Sequence, residues 1–183
     1  MPSCEEVPDS SSKTLASNRS LNIALLGYRS NPYSGGQGIY LRYLARALTN
    51  AGHKVDVISG EPYPELDAGI NLIKLPGLNL FAEEKPFQAL KWRHLLSATD
   101  LFEWLSFNSG GFPEPYTFGR RLLRHLQRYG CHYDVIHDNQ SLAPALLNLQ
   151  RRGWPVVSTI HHLHSSQRRC ITINRVVWAA PTR

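Results

Sequence analysis

The sequence predicts an α/β domain, a parallel β-sheet with helices packed on both of its faces. Short apolar runs that do not alternate with polar residues recur along the chain, the pattern of strands buried on both sides. Between them lie longer stretches whose apolar residues repeat at the helical period. Strand and helix follow one another in order, and right-handed crossovers of such units distribute helices over both sides of one sheet.

The first run is Leu21-Asn22-Ile23-Ala24-Leu25-Leu26-Gly27, closed by glycine. A polar turn, Tyr28 to Ser34, leads into Ser34-Gly35-Gly36-Gln37-Gly38. From Ile39 to Ala51 the spacing predicts a helix. Tyr40, Leu41, Leu44, Ala45 and Leu48 share a face, Arg42, Arg46 and Asn50 lie away from it, and Gly52 stops it. Val55 to Ile58 and Ile70 to Leu75 read as the second and third strands. The stretch from Pro76 to Pro115 is less regular, with short helices near Phe87–Ser97 and Asp100–Phe107, and the aromatics from Phe81 to Tyr116 are expected to pack in the core, contact with a bound lipid or sugar being the alternative. Thr117 to Tyr129 is an amphipathic helix: Phe118, Leu122, Leu123, Leu126 and Tyr129 form one arc, and Arg120, Arg121, Arg124 and Arg128 read as a solvated stripe. Asp134 to His137 is a fourth strand, Ser141 to Arg152 a helix, and Pro155 to Ile160 a fifth strand.

A chain of 183 residues holds one ordinary domain. Its hydrophobic fraction of 42% against 19% charged residues is that of a folded protein. Residues 1–20 carry Glu5, Glu6 and Asp9 among serines, so a disordered lead-in is expected there rather than a signal peptide. The three cysteines, Cys4, Cys131 and Cys170, form neither a disulfide framework nor a zinc spacing, which fits a reducing cytoplasm. A formal charge of +6 is compatible with anionic partners. Nucleic acid is not expected among them, because the arginines decorate ordinary helices and no recognised nucleic-acid motif occurs.

The glycine cluster is the first feature with chemistry in it. Glycine lets backbone approach a ligand closely, and before a helix it leaves N–H groups and the positive dipole end facing the strand-end crevice. Gly35, Gly36, Gln37 and Gly38 are therefore candidate phosphate-binding residues. A dinucleotide fingerprint would place its glycines directly on the strand end, and here a polar loop separates Gly27 from Gly35. A P-loop would follow its glycines with Lys-Ser or Lys-Thr, and none follows.

Taken in order, several segments resemble family 4 retaining glycosyltransferases. They are Asn22 to Gly27, Ser34 to Tyr40, Ala51-Gly52-His53-Lys54-Val55-Asp56-Val57, Tyr133 to Asn139, and Pro155 to His162; Phe112 to Arg120 is similar to a cleft-side segment of one bacterial branch. The resemblance covers Leu21 to Arg169 and implies the Rossmann-like first domain of a two-domain GT-B architecture. It implies that His161 sits beside the donor sugar and supports transfer by hydrogen bonding, that the glycine turn handles the donor diphosphate, and that His137, Asp138 and Asn139 border the acceptor. Arg168 would help to bind an anionic acceptor.

No metal and no cofactor is expected. A zinc site from His137, His161, His162 and His164 is the competing chemistry, but no HExxH or paired cysteines accompany these histidines. The partners implied are a nucleotide sugar and a sugar or lipid-linked acceptor, handled in the cytoplasm at or near the inner membrane surface, with peripheral membrane contact. The family's second domain is marked by a spaced pair of glutamates, and none of Glu5, Glu6, Glu61, Glu65, Glu83, Glu84, Glu103 and Glu114 stands in that spacing. Residues 21–169 are thus expected to be the acceptor-side domain and 170–183 an atypical tail. The whole would be a truncated or frame-shifted product, or a subunit that is inactive without a donor-binding partner. A non-enzymatic phosphate- or nucleotide-binding module of the same fold is the alternative.

Overall fold

The computed structural model describes residues 19–34, 36–80, 97–130 and 132–161. Five strands and four helices alternate as β1 (Asn22–Gly27), α1 (Gln37–Asn50), β2 (Lys54–Ser59), β3 (Asn71–Lys74), α2 (Ala98–Asn108), α3 (Glu114–Tyr129), β4 (Val135–Asn139), α4 (Pro144–Arg151) and β5 (Val156–Thr159). All strand pairs are parallel, in the order β3-β2-β1-β4-β5. This is a Rossmann-like sheet, as the sequence predicts.

Alternate residues of the strands feed two separate cores. Ile23, Leu25, Val55 and Val57 pack against Leu41 and Ala45 of α1. Ala24, Leu26, Ile58 and Ile136 pack against Phe118, Leu122 and Leu126 of α3 and Leu146 and Leu149 of α4. Helices therefore cover both faces, and the non-alternating apolar run of β1 has this cause.

Several expectations are corrected. Helix α1 starts at Gln37, so Gln37 and Gly38 belong to its first turn. Helix α4 starts at Pro144, three residues later than expected, because proline presets the first helical position. Strand β4 runs on through Asp138 and Asn139, whose partners Ser158 and Thr159 lie on β5. Tyr129 is 63% exposed and lies off the apolar arc of α3. Arg121 leaves the solvated stripe altogether: its guanidinium binds Asp100 at 2.6 Å and also Glu103 of α2. Helix α2 correspondingly buries Thr99 and Glu103 and leaves Phe102 and Leu105 exposed, so the described aromatics of this stretch do not form a core.

Ser97 caps α2, with its side-chain oxygen accepting from the Asp100 N–H. The rest of the helix expected near 87–97, the three cysteines, Gly35, Arg168, His162, His164 and the tail at 170–183 lie outside the described residues, as does the lead-in up to residue 18. Among the described residues no helix is long and apolar enough to cross a membrane.

Candidate functional site

The strand order reverses beside β1, with β2 on one side and β4 on the other. In open parallel sheets such a switch point opens a crevice beyond the carboxyl ends of the strands, where ligands bind. The segments at that crevice are the β1–α1 loop with the first turn of α1, the end of β4 with its following loop, and His161 just past β5.

Gly36 is the N-cap of α1 and has φ 72°, a left-handed conformation that a side chain would strain. No side chain caps the helix and no acidic residue occupies its first turn. Its opening N–H groups and the positive end of its dipole thus face the crevice uncompensated by local charge. Gly38 has a different reason to be glycine. A Cβ there would lie 2.4 Å from the carbonyl oxygen of Asn31 and 2.5 Å from that of Ser30. The helix start is seated directly on the preceding loop.

The end of β4 ties this turn to His161. Asn139 Nδ2 donates to the Gln37 carbonyl at 3.3 Å, which leaves Asn139 Oδ1 to accept from His161 Nε2 at 2.5 Å. Gln140 Oε1 accepts from the His161 backbone N–H at 3.0 Å and from Gln37 Nε2 at 3.4 Å. The His161 ring stands edge-on to Tyr40 of α1, with centroids 4.6 Å apart. Three elements from distant parts of the chain thus fix one imidazole: Nε2 carries the proton given to Asn139, so a neutral ring has its unprotonated nitrogen at Nδ1.

His137 and Asp138 point to opposite faces. His137 shares the α1 side with Asn139 and hydrogen-bonds Thr159 Oγ1 at 2.7 Å. Burial, and secondarily the nearby His161, hold its pKa below the usual histidine value. Asp138 is wholly buried on the α3–α4 side. Its carboxylate accepts from the N–H groups of Ser141 at 3.2 Å and Leu142 at 3.1 Å and from the Ser141 hydroxyl, while burial pushes its pKa up. Gln140 and Leu142 have φ of 56° and 48°, costly for residues with side chains. Asp138 holds the loop in that shape and so presents Gln140 to His161.

A second polar cluster lies at the same edge on the α3 side. Tyr28, Asn79, Glu103, Glu114, Phe118 and Arg121 line a hollow of about 20 Å³, enough for about one water. Glu114, the first residue of α3, is 8% exposed. Burial raises its pKa to about 7, opposed by Arg29 at 3.9 Å and reinforced by Glu103. Glu114 Oε2 and Asn79 Oδ1 have no hydrogen-bond partner among the described residues. Among those residues, no three His, Cys, Asp or Glu side chains converge as a metal site.

With this geometry in view, residues 34–180 match the model of the family described as Glycosyltransferase Family 4. The chain belongs to glycosyltransferase family 4. One curated relative, the MMP alpha-(1->4)-mannosyltransferase of Mycolicibacterium hassiacum, is 42% identical over 162 residues. That alignment covers 88% of this chain but 39% of the relative, so the chain spans well under half of that protein. Among solved structures, LpCGTa in complex with UDP is 15% identical with a TM-score of 0.46, covering 88% of this chain and 35% of that one. The glycotransferase of kitacinnamycin is 14% identical with a TM-score of 0.39, covering 87% and 36%.

In this family 4 chain, the fold brings Gly36, Gln37, Asn139 and His161 together, and His137 reaches the group's edge through Thr159. Asp138 is not in that group; it shapes the loop behind it. Sequence reading passed over Tyr40, Gln140, Glu114 and Arg121. Tyr40 closes the Ser34 to Tyr40 segment and Gln140 directly follows Tyr133 to Asn139, so position in or beside a motif is the one available signal. Nothing local marks Glu114 or Arg121 as buried, because their partners come from other segments.

Proposed function

We propose that this chain is the acceptor-side half of a retaining glycosyltransferase that moves a sugar from a nucleotide-sugar donor to a sugar or lipid-linked acceptor. The reading is supported above all by the convergence of the α1 N-terminus, Asn139, Gln140 and His161 at the β1/β4 switch point. A departing diphosphate is stabilised by backbone N–H groups and a helix dipole that need no proton exchange, and α1 offers both. His161 is held by Asn139 and Tyr40 at the same strand ends, and the family resemblance supports reading it as the histidine beside the donor sugar. Its role is to hydrogen-bond the sugar and steady the charge that develops on it.

The 42% identical relative makes mannose the first donor sugar to test and an α-(1→4) linkage the first product to look for. The GT-B arrangement puts most donor contacts on a second domain, so the chain alone is expected to be inactive, working in the cytoplasm beside the inner membrane surface. No metal takes part in this scheme.

The test is transfer from a panel of nucleotide sugars, with this chain alone and joined to a family 4 donor-binding domain. The expected result is turnover only in the joined protein. There, His161→Ala lowers kcat at least 100-fold while shifting stability by less than about 1 kcal/mol, since the ring is partly exposed and unburdened by core packing. Turnover unchanged by His161→Ala removes the histidine from the mechanism, and binding of nucleotide without any transfer favours a non-enzymatic module.

A further inference from the structure

Beside the transfer site, on the outer surface of α1, Pro32, Tyr33, Ile39, Arg42, Tyr43 and Glu65 line an open groove of about 260 Å³. Tyr33 is 80% exposed, Tyr43 58% and Ile39 44%. Large apolar side chains scattered singly over a surface need no explanation, but three around one concavity indicate a ligand.

The walls are held in place before any ligand arrives. The Tyr33 hydroxyl donates to the Glu65 carboxylate, and the Tyr33 N–H donates to Asn31 Oδ1 at 2.8 Å. Arg42 binds Asp67 through two N–H groups at 2.9 and 2.7 Å. Arg46 binds the same carboxylate and lies 5.3 Å from the centre of the Tyr43 ring. Fixed tyrosines give contact area at little entropic cost.

The charges narrow the ligand class. Arg42 and Arg46 are balanced by Asp67 and Glu65, so the groove has no net positive charge with which to hold a phosphate, a nucleotide or an anionic membrane. It suits a neutral molecule with a flat apolar face for the tyrosines and Ile39 and a rim of hydroxyls for Glu65 and Arg42. A pyranose ring has both. The groove reaches the start of the same helix: Gly38 of the glycine turn and Ile39, both in the first turn of α1, line it.

We propose that this groove binds a sugar unit of a neutral oligosaccharide acceptor, beyond the unit that reacts; the acceptor role rests on the function proposed above. Recognition by stacking makes the site a reader of acceptor chain length, set on a helix whose N-terminus serves the transfer chemistry.

The 183-residue chain is titrated with α-(1→4)-linked mannotriose and, separately, maltotriose, following the ring signals of Tyr33 and Tyr43 by NMR. Saturable shifts with either trisaccharide are expected, weakened at least tenfold in Tyr33→Ala and Tyr43→Ala. Tyr33→Phe, which keeps the ring and loses the Glu65 bond, retains most of the affinity. No shift with either sugar, equal binding by both alanine variants, or shifts produced by anionic lipid vesicles instead would overturn the proposal. In the joined enzyme, Tyr33→Ala raises KM for long acceptors and not for short ones. Failure of transfer with the binding intact strikes the proposed function, whereas transfer without this chain-length effect strikes the groove.

Discussion

The two sides of the sheet's carboxyl edge are built from different interactions. On the α1 side, Gln37, Asn139, Gln140 and His161 are joined by neutral hydrogen bonds, with Gln37 and His161 partly exposed and Asn139 and Gln140 buried behind them. On the α3 side, Arg121, Asp100 and Glu103 form a largely buried ion network, with Glu114 buried beside it. Neutral groups can exchange a hydrogen bond with a ligand at modest cost, whereas a buried charge that loses its partner is heavily penalised. The difference assigns ligand handling to the first cluster and the docking of α2 on α3 to the second.

Arg121→Ala tests this division most severely. It strips two carboxylates of their cation, one of them on Glu103, which is 3% exposed. A loss of about 3–5 kcal/mol is expected in denaturant unfolding, by analogy with other broken buried ion pairs. His161→Ala, on the opposite side, is expected to leave the unfolding midpoint nearly unmoved. If the two variants unfold alike, the α3 cluster is not the structural one.

Glu114 gives the next largest effect, and it depends on pH. Its folded pKa of about 7 stands above its ordinary 4.5, so the folded state prefers the protonated carboxyl. The associated stability is full below about pH 4.5 and is lost as pH rises through about 7, on the order of 2–3 kcal/mol in all. Glu114→Gln keeps the neutral shape and removes the proton. The stability difference between wild type and variant should therefore change across that window in favour of the variant at high pH. Taking the difference cancels the opposite trend from His137, whose depressed pKa costs stability as pH falls below the usual histidine range. A difference that stays flat with pH would show that Glu114 is ionised in the folded protein.

The same comparison explains what was legible in the sequence. Strand β1 is apolar on both faces, so local composition located it. His161 was found because its strand and its motif are contiguous. Its partners Tyr40 and Asn139 are brought to it by the sheet order, which no local period encodes. Asp138 and Asn139 fall outside the strand expected at Asp134 to His137 because their pairing with Ser158 and Thr159 is a property of β5. Arg121 sits beside Leu122 on the border between the buried and solvated faces of α3, and only α2 decides which side it joins.

The glycines of the α1 start sharpen the contrast within the ligand-handling side, with the smallest effects. Gly38→Ala drives a Cβ to within 2.4 Å of the Asn31 carbonyl oxygen, and backbone cannot swing aside as a side chain can. Displacement of the loop should cost about 1–3 kcal/mol, set partly against alanine's better helix propensity. Gly36→Ala meets nothing within 4 Å and is strained by φ alone, at about 1 kcal/mol. The larger difference is expected in catalysis. Gly38→Ala moves the first turn of α1 against Asn139, so turnover of the joined enzyme should fall further than in Gly36→Ala. Equal losses in the two variants would mean that the loop contact does not set the position of the helix N-terminus, leaving its orientation to the hydrogen bonds from Asn139 and Gln140.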